Sequence, residues 1–358
     1  MRSRLRLGSL ITASLVFLMG ITSWLLAYRA DRDTLLSNAT PINVQTCSVR
    51  DYWWLSKNDV VLCQRDENEH RLFTFTILNV DDLSRRPLVQ LSNYVNRSAG
   101  SCIDCYFYVS PDGRSLLWDE NCNTSQYQSL AGSDIDGTRV FRFRTSFKEL
   151  HWSSDCQHWV EFVPSKDSDR YSAVVKRKRG VPENVSILPI APKSPLDSTG
   201  CSSGKLLRGD RFLIDTTWQR GVQSLLQVEF LELDLGRRGS VMCKYSVHLP
   251  ENDAIEDIVY SPKGDRVAWL IARSSVAPID AWLQRLIPSY KVPQLHTVGV
   301  WISQINGNDM HELGHVTTNS SPYEGNPTRI VPQDVRWLPD GKHLSFSYNG
   351  NLWRTISD

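Results

Sequence analysis

The sequence predicts an all-β chain, a six-bladed β-propeller preceded by one N-terminal transmembrane helix. Three observations predict it. A unit of apolar strand, tight polar turn and second apolar strand occurs six times. Twelve tryptophans, twelve tyrosines and eleven phenylalanines supply the aromatic packing that pleated sheets favour. Ahead of all this, residues 7–28 form one uncharged apolar run.

Residues 1–6 are a basic tail carrying Arg2, Arg4 and Arg6. The run that follows, LGSLITASLVFLMGITSWLLAY, would span roughly 33 Å as a helix at about 1.5 Å per residue, enough for a bilayer core. Trp24 and Tyr28 stand at its far end, where amphipathic rings favour the interface. A cleaved signal peptide has a shorter apolar region and small residues at its cleavage site, whereas the best candidate here, Tyr28-Arg29-Ala30, is bulky. An uncleaved signal anchor is therefore expected, in a single-pass cell-membrane protein. The arginines would stay cytoplasmic and residues 31–358 would be extracytoplasmic.

The remaining chain divides into a linker at 29–41 and the repeats at 42–358. The repeats read DYWWLSKNDVVLC (51–63), YFYVSPDGRSLLW (106–118), LHWSSDCQHWVEF (150–162), KLLRGDRFLI (205–214), DIVYSPKGDRVAWL (257–270) and DVRWLPDGKHLSFS (334–347). Aligned on Asn58, Gly113, Cys156, Gly209, Gly264 and Gly341, they recur at intervals of 55, 43, 53, 55 and 77 residues. In Ser110-Pro111-Asp112-Gly113, proline presets one turn dihedral and glycine supplies a positive φ. Further strands follow each pair, as in RLFTFTILNV, SLLQVEFLELDL and VGVWISQI. Four strands in about 45–55 residues make one blade, and six blades close a ring. The last unit, ending in NLWRTIS, lacks an outer strand that residues near 42–48 are placed to supply. A seven-bladed ring or a sandwich is the alternative all-β arrangement.

The SPDG turns, the NGNLW step and the strand, polar turn, HEL endings resemble the repeats of TolB-type six-bladed β-propellers, a WD-repeat-like family. The resemblance covers about residues 42–358 and is closest in the second, fifth and sixth units. It implies a rigid scaffold whose rim or central channel binds a protein or peptide partner. Some relatives carry a catalytic domain after the propeller; this chain ends within the last blade, and no such domain is expected.

Composition narrows the function further. Forty basic and thirty-nine acidic residues among 358 leave a net charge of +1, which argues against a nucleic-acid partner. The eight cysteines, Cys47, Cys63, Cys102, Cys105, Cys122, Cys156, Cys201 and Cys243, all follow the apolar run. An even set in an exported domain suggests disulfides, with Cys47–Cys63 and Cys201–Cys243 among the guesses. Sequons begin at Asn38, Asn96, Asn123, Asn184 and Asn319.

Residues 311–315, His-Glu-Leu-Gly-His, match the H-E-x-x-H pattern of zinc proteases, which needs a helix to bring both histidines onto one metal. Asn306-Gly307-Asn308 is a turn signal just ahead of it, and a strand would hold the two histidines on one face but roughly 13 Å apart. A zinc-dependent hydrolase, or a small-ligand sensor using the channel, is thus the alternative function, with no catalytic residue, metal or cofactor expected. Cys102-Ile103-Asp104-Cys105 lacks the helix of a redox pair and reads as local disulfides. The basic run 176–179 reads as a solvated strand end, and Arg208-Gly209-Asp210 as a blade turn.

The long 77-residue interval points to a binding element. Residues 273–297 replace a short hairpin, with Ala281, Trp282, Leu283, Leu286 and Ile287 on a short amphipathic helix that Asp280 begins and Pro288 stops. Such an insertion either covers the ring or meets a partner or membrane. Trp282, Leu286 and Tyr290 are the candidate partner-binding residues, aromatic and aliphatic as hot spots are. The protein is expected to be a scaffold rather than an enzyme.

Overall fold

The computed structural model describes residues 34–45, 49–65, 72–98, 107–110, 112–119, 128–145, 149–152, 156, 158–164, 171–177, 183–187, 204–206, 211–215, 227–234, 240–249, 253–276, 278–287, 289, 294–318 and 331–355. They fold into six four-stranded antiparallel sheets in a propeller arrangement. After helix α1 (Thr34–Ser37) and strand β1 (Ala39–Gln45), the first sheet comprises β2 (Val49–Trp54), β3 (Asp59–Arg65), β4 (Phe73–Asn79) and β5 (Arg85–Pro87). Helix α2 (Val89–Ser98) follows. The second sheet holds β6 (Phe107–Val109), β7 (Ser115–Asp119), β8 (Gln128–Asp134) and β9 (Phe141–Thr145). The third holds β10 (Glu149–Trp152), β11 (His158–Pro164), β12 (Tyr171–Arg177) and β13 (Glu183–Ile187). The fourth holds β14 (Gly204–Leu206), β15 (Arg211–Asp215), β16 (Gln227–Asp234) and β17 (Ser240–His248). In the fifth, β18 (Asp253–Tyr260) and β19 (Arg266–Val276) are joined by helix α3 (Pro278–Leu286) to β20 (Gln294–Gln304) and β21 (His311–Thr318). The last sheet takes β22 (Gln333–Trp337), β23 (Leu344–Tyr348) and β24 (Asn351–Thr355), with β1 as its outer strand.

All six aligned turn positions fall between the first and second strands of different sheets. Their chemistry is local. Ser110 accepts the Ser115 N–H and donates to Asp112, while Ser261 accepts the Arg266 N–H and donates to Asp265. Gly113, Gly264 and Gly341 have φ of 68°, 75° and 68°, the left-handed conformation that glycine adopts without steric cost.

Apolar clusters form between successive sheets. Trp53, Phe75, Leu116 and Trp118 join the first and second sheets, and Phe230, Val247, Ile258 and Trp269 join the fourth and fifth. Ala268, Val300, Trp337 and Phe346 join the fifth and last. Tyr52, Trp54, Leu62, Leu338 and Leu352 connect the last sheet back to the first. Tryptophans just ahead of the turns add hydrogen bonds between inner strands. Trp152 donates to the Tyr108 carbonyl at 3.1 Å and Trp337 to the Val259 carbonyl at 2.9 Å. Trp54 donates to Ser345 Oγ at 2.8 Å, and Tyr52 Oη to the Asp334 carbonyl at 2.6 Å, fastening first sheet to last.

The last sheet is completed as its missing outer strand required, and the pairing begins earlier than residue 42. Ala39 pairs with Thr355 and Ile42 with Leu352. Helix α1 and strand β1 both begin within residues 29–41, so part of the expected linker is helix and strand. The apolar run 7–28 lies outside the described residues. Among the described residues, no helix is long and apolar enough to cross a membrane.

Helix α2 was not legible in the repeat pattern. Strand β5 is only three residues long, and α2 takes over the edge of the first sheet. Asn96 Oδ1 accepts the Phe73 N–H at 2.7 Å, and its amide donates to the Phe73 carbonyl at 3.0 Å. Ser92 Oγ accepts the Phe75 N–H at 3.1 Å. Side chains thereby satisfy backbone groups that a longer strand would have bonded. The helix buries Leu91 and Val95 against the first and second sheets.

Candidate functional site

The H-E-x-x-H motif is a strand, as its flanking turn predicted, but the expected shared face of its histidines is overturned. Glu312 pairs with Trp301 and Gly314 with Val300, leaving Leu313 as a bulge. One extra residue reverses the alternation. His311 therefore shares the face of Ile302 and Val300, while Glu312 and His315 share that of Trp301 and Gly299. His315 Nδ1 meets Glu312 Oε1 at 2.5 Å, and His311 Nδ1 meets the Asp309 carbonyl at 2.7 Å. Among the described residues, no three His, Cys, Asp or Glu side chains gather as a metal site.

The motif instead receives the chain's own N-terminal segment. The bulge presents the Leu313 carbonyl and the His315 N–H to residues 34–38. Asn38 donates its amide to the former at 2.8 Å, and Thr34 Oγ1 accepts from the latter at 3.1 Å. Between them Leu35 is fully buried in the cluster joining the fifth and last sheets. Gly314 has no room for a side chain: a Cβ there would lie 2.5 Å from Leu35 N and 2.8 Å from the Thr34 carbonyl carbon. Asn38 and Asn96 are both sequon asparagines, and each has its side-chain amide committed to a backbone carbonyl.

The insertion at 273–297 is part strand and part helix. Strands β19 and β20 are eleven residues each and stay paired out to Val276 opposite Gln294. The neighbouring strands stop earlier, with Asp253 opposite Arg273 and Thr318 opposite His296. The hairpin thus carries α3 beyond the sheet. Trp282, Leu286 and Ile287 are 53%, 59% and 49% exposed, with Val276 exposed below them. Trp282 and Leu286, four apart, share one helical face. Tyr290, the third predicted contact, lies outside the described residues.

The two features are separated along the fifth sheet. Ile305 N–H donates to the Asp265 carbonyl, so the turns at 261–265 and 305–310 lie together, opposite the end from which α3 projects. Gly314 pairs with Val300, six residues along β20 from the tip, or roughly 20 Å at about 3.4 Å per residue.

A cluster on the fourth sheet had no motif to announce it. Glu232, nearly buried, accepts from Arg211 Nη1 at 2.6 Å and from Tyr245 Oη at 3.4 Å. Burial, with Cys243 and Glu232 adding to it, pushes the Tyr245 phenol up to about 12. A phenol so held stays protonated at physiological pH and acts as a hydrogen-bond donor, not as a nucleophile.

The other predicted features divide. No disulfide joins any two of Cys63, Cys156 and Cys243, and the other five cysteines lie outside the described residues. The pairings Cys47–Cys63 and Cys201–Cys243 each have one member there, and Cys102 and Cys105 both lie there. Lys176 and Arg177 are the last two residues of strand β12. Lys178, Arg179 and residues 208–210 lie outside.

No protein-family model matches this sequence, and no curated protein matches it. Solved structures do. TolB from Acinetobacter baumannii aligns at 14% identity and TM-score 0.45, over 84% of this chain and 64% of that one. A prolyl endopeptidase aligns at 11% and 0.44, over 86% and 47%. The β-propeller domain of the Trilobed protease from Pyrococcus furiosus aligns at 12% and 0.38, over 84% and 81%. The chain thus spans under two thirds of the first two. Likeness of this degree leaves those proteins' activities with them.

Proposed function

We propose that this protein is a membrane-anchored, extracytoplasmic six-bladed propeller that serves as a protein-binding scaffold and assigns no residue to catalysis. One observation carries the reading: Trp282, Leu286 and Ile287 are held out on a helix beyond the edge of the fifth sheet, each about half exposed. Clustered aromatic and aliphatic side chains are the usual anchors of protein interfaces.

A photo-cross-linking residue at position 282 of the membrane-inserted chain tests this, with position 241 on exposed β17 as reference. One adduct formed from 282, absent from 241 and lost in Leu286→Asp, is the expected result. Adducts of the same pattern from both positions, or lipid adducts alone from 282, overturn it.

A further inference from the structure

We propose that the Leu313 bulge and Gly314 form a docking site for the chain's own residues 34–38, and that this strap is a separable clasp holding β1 in the last sheet. The inference is independent of what the hairpin tip binds. The seat is built for its occupant. A bulge in β21 turns one carbonyl and one N–H toward the strap, and both are engaged by polar side chains of the strap, Asn38 and Thr34. The absent side chain of Gly314 leaves the space into which the backbone of Thr34 and Leu35 fits. Leu35 then enters the apolar layer between the fifth and last sheets.

Several features make the strap detachable from the rest. Helix α1 is a single turn of four residues and cannot persist unaided. Strand β1 is an outer strand whose one ladder among the described residues is with β24. Its pairing is irregular between Ile42 and Gln45, and Pro41, opposite Trp353, has no N–H to contribute. A one-turn helix and an irregular edge strand therefore depend on the bulge for their position. The strap also joins the N-terminal segment to two sheets at once, so its release would free β24's outer edge and open the contact between the fifth and last sheets at Leu35.

Hydrogen exchange of the full chain in membranes or detergent, read by peptide, tests this in Gly314→Ala. The expected result is at least tenfold faster exchange in residues 39–45 and 351–355, with residues 60–65 of β3 unchanged. Exchange at 39–45 equal to wild type shows that Gly314 does not seat the strap and overturns the proposal. Exchange rising by the same factor in all three segments also overturns it, because the strap would then be an inseparable part of one folding unit. Should Gly314→Ala fail to accumulate, the combination Thr34→Val with Asn38→Ala removes the two polar contacts without a clash. The same three segments then decide in the same way.

Discussion

Trp269 donates its indole N–H to Ser303 Oγ at 2.9 Å inside the fifth sheet, and Trp118 and Ser133 repeat the placement in the second sheet without the bond. In both sheets the serine pairs with the residue two before the tryptophan: Ser303 with Val267, and Ser133 with Leu116. Both indoles have an aromatic ring edge-on, Tyr94 of helix α2 with its ring centre 5.3 Å from that of Trp118 and Phe230 of the fourth sheet 5.5 Å from that of Trp269.

The two serines should respond differently to truncation. Ser303→Ala strands a buried indole N–H and is expected to cost about 1–3 kcal/mol. Ser133→Ala removes a hydroxyl that has no partner and should leave stability within about 0.5 kcal/mol of wild type, or raise it. Urea midpoints of the two variants at constant slope provide the comparison.

Turn glycines separate on space rather than on dihedral angle. Gly113 and Gly341 share a φ of 68°, so alanine pays the same left-handed penalty of about 1–2 kcal/mol at each. A Cβ at 113 would also meet Leu55 Cδ2 at 2.6 Å and Leu55 Cα at 3.0 Å, whereas at 341 its nearest neighbour is Pro262 Cδ at 3.7 Å. Gly113→Ala should therefore lower the thermal midpoint more than Gly341→Ala. Equal shifts would mean that Leu55 gives way freely.

Alkaline stability should depend on Tyr245. Its phenol is pushed up to about 12 from the ordinary 10.0 by burial and by Cys243 and Glu232, so the folded chain keeps a proton that the unfolded chain loses first. The folded state binds more protons between those values, and stability must fall as pH rises from about 10 to about 12. Tyr245→Phe should remove this share of the decline. Denaturation midpoints of both chains at pH 9 and at pH 11 measure it; parallel curves would assign the loss to other groups.

Substitutions on α3 should separate binding from folding. Trp282→Ala and Leu286→Ala remove side chains more than half exposed and should change stability by less than about 0.5 kcal/mol. Replacing residues 277–293 with Asn-Gly supplies the two-residue turn that Val276 opposite Gln294 requires. That chain should fold with an unchanged circular dichroism spectrum apart from the lost helix. A large drop in midpoint for either point variant would show that the helix packs on the propeller.

The repeat, its turns and the helix in the long interval were determined by the sequence itself, because each rests on neighbours a few residues apart. Serine, proline, aspartate and glycine make a tight turn through bonds that span no more than five positions, as Ser110 with Ser115 shows. Alternation and a stopping proline work at the same range. Tertiary structure alone decided the rest. The pentapeptide at 311–315 reads as a metal motif until a bulge places its histidines on opposite faces and Thr34, 281 positions away, takes up the His315 N–H. Helix α2 likewise arises where Asn96 satisfies Phe73 across 23 positions. The Arg211, Glu232 and Tyr245 cluster needs three adjacent strands before it exists at all. Buried backbone groups must be bonded by whatever the fold brings near them, and that partner is set by closure of the sheets rather than by spacing along the chain.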